Sequence, residues 1–278
     1  MGQRDSSLTR VQPVMRQILA SNAADALPRL LRLGSRAVDC SLERIFAPMA
    51  LLENHAVTHC FEYSATAPPG YLKKLLDSRD RLQRAVNANP GILKSSKNPN
   101  VEKMRRRLLD GDREAIADGQ ARIDRGHTRT GDGTWWVLEG TTKVDCAIFA
   151  DNATIFIEGK RTERKLTDRV TWDLDRNQVF RNLDALREMR AGDDDFFVLL
   201  IVEEGSPAAN AAGLLDAGYN VALASWPHLD DEHARELYDR HYLGFTTWQA
   251  VASEFNITLL DTVDDLARIA TDADAGIE

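Results

Sequence analysis

The chain has 278 residues, 43% of them hydrophobic, enough to bury one sizeable core and a smaller appended unit. Its formal net charge is -8, no apolar run approaches the about 18 residues of a membrane helix, and the start lacks the apolar stretch of a secretory leader. Cys40, Cys60 and Cys146 form an odd set without paired spacing, which excludes a disulfide framework or a four-cysteine zinc site and suits a reducing cytoplasm.

The charge is unevenly spread. Residues 1–90 carry 12 basic and 8 acidic side chains, residues 91–190 carry 20 and 17, and residues 191–278 carry 3 and 18. The acidic excess is confined to the last third, so the middle of the chain can present a positive face to a polyanion.

From Val11 to about Val57 apolar residues recur at helical spacing, as in Val14, Ile18, Leu27, Leu30 and Leu31, with Pro13 and Pro28 as breakers. On a helix His55 and His59 lie one turn apart near Cys60 and Glu62, which suits a metal ion but lacks the HExxH pattern. Tyr71 to Val86 reads as an amphipathic helix ended by Asn87-Ala88-Asn89-Pro90-Gly91. The polar, breaker-rich residues 92–100 mark a boundary between a helical region, 1–95, and a second unit, 96–278. A basic helix follows from Val101 to Ile123, interrupted at Asp110-Gly111-Asp112.

Trp135–Glu139, Val144–Ala150 and Thr154–Glu158 are rich in β-branched and aromatic residues and read as three strands. A helix from Asp173 to Arg190 precedes Phe196–Val202, whose unbroken apolar run implies a strand covered on both faces. Ser206-Pro207 opens a short helix as N-cap and first-turn proline. Residues 220–225 read as one more strand, and helical segments follow to Ala270.

The stretch from Val144 to Lys160 carries chemistry. A two-residue turn at Asp151-Asn152 sets Ala150 opposite Ala153 and Asp145 opposite Glu158, and the period of two puts Lys160 on the same face as Glu158. Opposed carboxylates repel unless a cation lies between them, and hard oxygen donors suit Mg²⁺ or Mn²⁺. Gly159, between Glu158 and Lys160, leaves room for substrate or backbone to approach. The bland alternative is an exposed cross-strand ion pair worth under about 1 kcal/mol.

Asp145 followed by Glu158-Gly159-Lys160 at the end of the next strand, within an α-β-β-β-α-β element order over residues 101–203, resembles the PD-(D/E)xK nuclease superfamily. Val144 stands where the superfamily's name-giving proline would be. The resemblance implies an α/β restriction-endonuclease-like core, a mixed central sheet flanked by helices, here with a helical N-terminal region and an acidic helical C-terminal extension. It implies Asp145 and Glu158 as ligands of Mg²⁺ or Mn²⁺, Lys160 as the residue assisting hydrolysis, and a nucleic acid, DNA above RNA, as substrate. Some members add a glutamine from the following helix, here Gln178, and an acidic residue from the first core helix, here Glu114, with Asp118 or Glu139 as substitutes. Arg161, Arg164, Lys165 and Arg181 follow the lysine and are the expected phosphate contacts, whereas Arg105, Arg106 and Arg107 read as a solvated stripe. Trp135 and Trp136 read as one core and one surface aromatic. By analogy a homodimer suits cutting both strands; the alternative is a non-catalytic member of the same fold that binds nucleic acid or a protein partner.

Overall fold

The computed structural model describes residues 6–20, 22–36, 57–94, 98–128, 135–151, 153–163, 166, 169–190 and 195–262. A five-stranded mixed sheet runs in the spatial order β1 (Thr58–Ala65), β2 (Thr142–Ala150), β3 (Ala153–Lys160), β4 (Asp195–Val202) and β5 (Tyr242–Thr247). The β1–β2 and β2–β3 pairs are antiparallel, and β3, β4 and β5 run parallel. Parallel neighbours need a crossover connection, which α7 (Gln178–Met189) provides between β3 and β4.

Helices cover both faces. Cys146, Ile148, Ile155, Ile157, Phe197 and Ile201 pack beneath α1 (Gln12–Ala20), α2 (Ala23–Arg32) and α11 (Trp248–Phe255). Phe156, Val198, Leu200 and Val202 face α7, α8 (Pro207–Ala217), α9 (Tyr219–Ser225) and α10 (Asp231–His241). A separate apolar cluster joins α3 (Pro69–Leu76), α4 (Arg79–Ala88), α5 (Pro99–Leu109) and α6 (Arg113–Asp124) with Trp135, Trp136 and Trp172. Among the described residues no helix is long and apolar enough to cross a membrane.

The β2–β3 hairpin has the expected register, with Ala150 opposite Ala153 and Cys146 opposite Ile157; Asn152 of its turn lies outside the described residues. Phe196–Val202 is a strand buried on both faces, and Ser206 caps α8 by accepting from the Ala209 N–H. The expected break at Asp110-Gly111-Asp112 separates α5 from α6, where Gly111 takes φ +76 and Asp112 caps α6.

Elsewhere the fold departs from the sequence pattern. Residues 135–139 form turns and irregular chain, not a strand, and both tryptophans are buried. The sheet's outer antiparallel strand is instead β1, which pairs along β2 from Thr58↔Phe149 to Ala65↔Thr142. The sheet therefore draws strands from both sides of residue 95. Residues 220–225 are helical, with Ala222 and Ser225 buried one turn apart. β5 arises inside a stretch that reads as helical; Gly244, at φ +78, lies within the register shift between the Val198↔Tyr242 and Leu200↔Phe245 pairs. The helix expected from Asp173 starts at Gln178, because residues 173–176 serve a buried ion network.

That network joins the helical cluster to the sheet. Arg176 is fully buried, with Nε 3.0 Å from Glu139 Oε2, Nη1 2.8 Å from Asp184 Oδ2, and its guanidinium 3.6 Å from the Tyr71 ring centroid. Burial alone would lower the guanidinium pKa, but Glu139 and Asp184 outweigh it and hold the group above its usual value. Tyr71 also donates to Asp173, which Arg81 pairs from α4. Arg176→Met is expected to lower unfolding free energy by about 3–5 kcal/mol in urea titration, because two buried carboxylates lose the cation they share, leaving Glu139 only Arg181 and Asp184 only His228. The exposed Arg29–Glu254 pair is the control, and Arg29→Ala should leave the urea midpoint nearly unchanged.

Candidate active site

β2 and β3 stay paired as far as Cys146↔Ile157. Just beyond, the Gly159 N–H donates to Asp145 Oδ2 at 2.8 Å, so a side chain takes the place of a ladder carbonyl. Asp145 is aimed there by a slip in side-chain alternation. Cys146 packs toward α1, whereas Val144 and Ala147 both pack toward α7. β1 slips on the same rung: Phe61 packs on the α1 side and Tyr63 on the α7 side, with Glu62 between them at φ +54. The pairs Phe61↔Cys146 and Tyr63↔Val144 leave the register unbroken, so Glu62 and Asp145 share the irregular rung. A positive φ is uncommon for a non-glycine residue, and this one coincides with the re-aiming of a carboxylate.

Glu158 is only 1% exposed, and both of its oxygens are engaged. Oε1 lies 2.7 Å from Lys160 Nζ and accepts from Gln178 Nε2 at 2.6 Å, while Oε2 accepts from Asn182 Nδ2 at 3.0 Å. The Asn177 side chain caps α7 on the Val179 N–H, and the i, i+4 spacing brings Gln178 and Asn182 to one face above Glu158. Gln178 carries a sequence signal through the resemblance. Asn182 has only its spacing from Gln178, and its partner Thr142, donating at 2.8 Å, is 40 residues away in the chain.

The ion pair is not the exposed kind, since the Lys160 side chain is only 12% exposed. Burial and the Glu158 charge push the Asp145 carboxyl from an ordinary 3.8 to about 8, and the Gly159 N–H offsets this only in part. Burial likewise raises Glu158 against the pull of Lys160. For Lys160 burial works downward, but Glu158 and then Asp145 outweigh it and the ammonium sits above its usual value. Two buried carboxylates thus share one lysine, and with both of them ionised the cluster is one positive charge short of neutrality.

This donor set fits Mg²⁺ or Mn²⁺, because such ions take one or two protein carboxylates and complete their shell with water and phosphate oxygens. Among the described residues no group of three His, Cys, Asp or Glu side chains is arranged to hold a metal. Glu114 is not part of the cluster: its side chain is 90% exposed and pairs with Arg107. Glu139 is locked between Arg176 and Arg181, and Asp118 pairs with Arg122. His59 lies exposed on β1 with its ring against Phe61, not on a helix, and His55 lies outside the described residues.

The expected phosphate contacts are differently employed. Arg161 is 7% exposed, donates to Thr9 Oγ1 at 2.8 Å, and faces Glu203 and Asp261. Arg181 donates to Glu139 Oε1 at 2.6 Å and to the Gly140 carbonyl at 2.9 Å. Arg161 is buried and Arg181 half-buried, each held by groups of the fold, and Arg164 and Lys165 lie outside the described residues. Gly159 is required by the core rather than by a substrate, since a Cβ there would lie 2.3 Å from Val11 Cγ2 and 2.8 Å from Trp248 Cζ2. Ser6 and Ser7 carry no functional signal in the sequence, yet their hydroxyls donate to Glu163 and Glu62 beside the cluster. Comparison of the chain with protein-family models, curated proteins and solved structures yields no match.

The Asp145 shift has a pH signature. A carboxyl that titrates at about 8 in the fold against 3.8 when unperturbed binds its proton more tightly folded than unfolded, so stability is highest at low pH and is lost as pH rises toward 8. In the presence of a chelator the thermal midpoint should fall as pH rises from about 4 to about 8 and level off above that. Asp145→Asn keeps an acceptor for Gly159 and should remove most of that slope, measured by calorimetry across the series; an unchanged slope would assign the effect elsewhere.

Proposed function

We propose that the chain is a metal-dependent nuclease that hydrolyses phosphodiester bonds in DNA on a core of restriction-endonuclease type. The observation that carries this reading is the convergence of Asp145, Glu158 and Lys160 where β2 and β3 separate, buried and, with both carboxylates ionised, one positive charge short of neutrality. The directions of β1 to β4 agree with the core the resemblance implies, with β1 taking the part expected of residues 135–139.

Asp145 and Glu158 would hold Mg²⁺ or Mn²⁺. A divalent ion bound there polarises a phosphoryl oxygen and lowers the pKa of a bound water. Asp145 spends one oxygen on the Gly159 N–H and has the other for a ligand. Lys160, held by Glu158 in the absence of a cation, supplies an ammonium that orients the attacking water or offsets charge developing on the phosphate. Gln178 steadies Glu158 through Oε1 in the absence of an ion.

The test is cleavage of plasmid and single-stranded DNA with Mg²⁺ and with Mn²⁺. Lys160→Ala should lose at least about 100-fold in rate, as when one transition-state-stabilising donor is removed, while its unfolding transition remains cooperative. Equal cleavage by this variant would overturn the reading. DNA binding that weakens steeply with salt, without cleavage under either metal, would favour the non-catalytic alternative.

A further inference from the structure

The donors to Glu158 differ in kind on its two oxygens. Lys160 and Gln178, both on Oε1, are long side chains with some solvent exposure. Asn182, on Oε2, is short and fully buried, and its own carbonyl oxygen is occupied by the hydroxyl of Thr142, itself only 2% exposed. A buried amide is costly to leave unpaired, so both ends of Asn182 resist release. The chain from Thr142 through Asn182 to Glu158 also has a direction. The single hydroxyl proton of Thr142 goes to Asn182 Oδ1, which leaves Nδ2 to face the carboxylate; the reversed amide would set Oδ1 against Oε2, two acceptors together.

We propose that Asn182, oriented by Thr142, is a positioning residue that anchors the inner oxygen of Glu158 and so reserves the outer oxygen, Oε1, for a divalent cation. This rests on the metal-site reading above. Lys160 and Gln178 yield Oε1 when the ion arrives, whereas Asn182 keeps Oε2 and with it the carboxylate's orientation. Two such anchored oxygens, Asp145 on the Gly159 N–H and Glu158 on Asn182, set the spacing of the pair before any ion is present. Outer partners of this kind are typically worth about 10- to 100-fold in metal affinity.

The experiment is Mn²⁺ binding to the full chain by titration calorimetry, without nucleic acid, with thermal unfolding recorded for each protein. Thr142→Val removes the hydroxyl at nearly constant volume, Thr142→Ser restores it, and Asn182→Ala removes the anchor. Wild type and Thr142→Ser should bind alike, while Thr142→Val and Asn182→Ala, folded, should bind about tenfold or more weakly. A role in packing alone would lower the unfolding midpoint of Thr142→Val and leave the affinity of the folded protein intact. Binding by Thr142→Val within twofold of wild type therefore overturns the anchor even if Asn182→Ala does not fold. A folded wild type that takes up no Mn²⁺ overturns the metal site along with it.

Discussion

Two carboxylates buried within reach of one lysine repel each other in a medium that screens them poorly, and the surrounding structure has to hold them against that repulsion. It does so mainly with neutral donors. The Gly159 N–H holds Asp145, and the side-chain amides of Gln178 and Asn182 hold Glu158. The strand that carries the lysine is fixed from behind: the Lys160 carbonyl accepts from the Glu203 N–H at 3.0 Å and from Trp248 Nε1 at 3.1 Å. The same tryptophan packs with Val11 on the bare Cα of Gly159. Any side chain at Gly159 would push β3 away from both, so this glycine serves the opposite face of the sheet while its N–H serves the site.

The slip at Glu62 and Asp145 explains how a regular hairpin yields an irregular pair of carboxylates. Strict alternation would leave Asp145 on one face and its backbone in the ladder with β3. Shifting the phase on β1 and β2 together keeps their mutual pairing and frees Asp145 to bond the neighbouring strand through its side chain. An irregular rung at the point where strands part is a common means of re-aiming a side chain.

Local chemistry made part of this legible in the sequence. The hairpin register follows from one turn and the period of two. β4 follows from an unbroken apolar run, and α8 from a serine cap before a proline. The meeting of Glu158 with Lys160 follows from the period of two once the strand is set, whereas Gln178 carries its signal only through the resemblance. Other features depend on partners distant in sequence. β1 has an exposed, polar burial pattern over most of its length and gains its identity from pairing with β2, more than 70 residues on. β5 is six residues long, lies directly between two helices, and contains a glycine at φ +78. Trp135 to Leu138 have strand-like composition, yet find burial in the helical cluster without a ladder. The arginines fail the simple reading for the same reason: a guanidinium next to the lysine suits a phosphate equally well, and only the folded chain brings Glu203 to Arg161 and Glu139 to Arg181.

The Arg176 network ties these levels together. Arg176 reaches the Ser225 carbonyl at 2.8 Å, and the Ser225 hydroxyl accepts from the Asn177 N–H at 3.0 Å and contacts the Asp175 carbonyl at 2.8 Å. These bonds fix residues 175–177 as non-helical chain and so fix where α7 begins, with Asn177 as its cap. A start one residue earlier or later would rotate α7 by about 100° about its axis relative to its sequence and turn Gln178 and Asn182 away from Glu158. The buried ion network that docks the helical cluster onto the sheet is therefore also what sets the phase of the helix over the carboxylates, so a packing interaction on one side of the molecule governs the geometry of its candidate site.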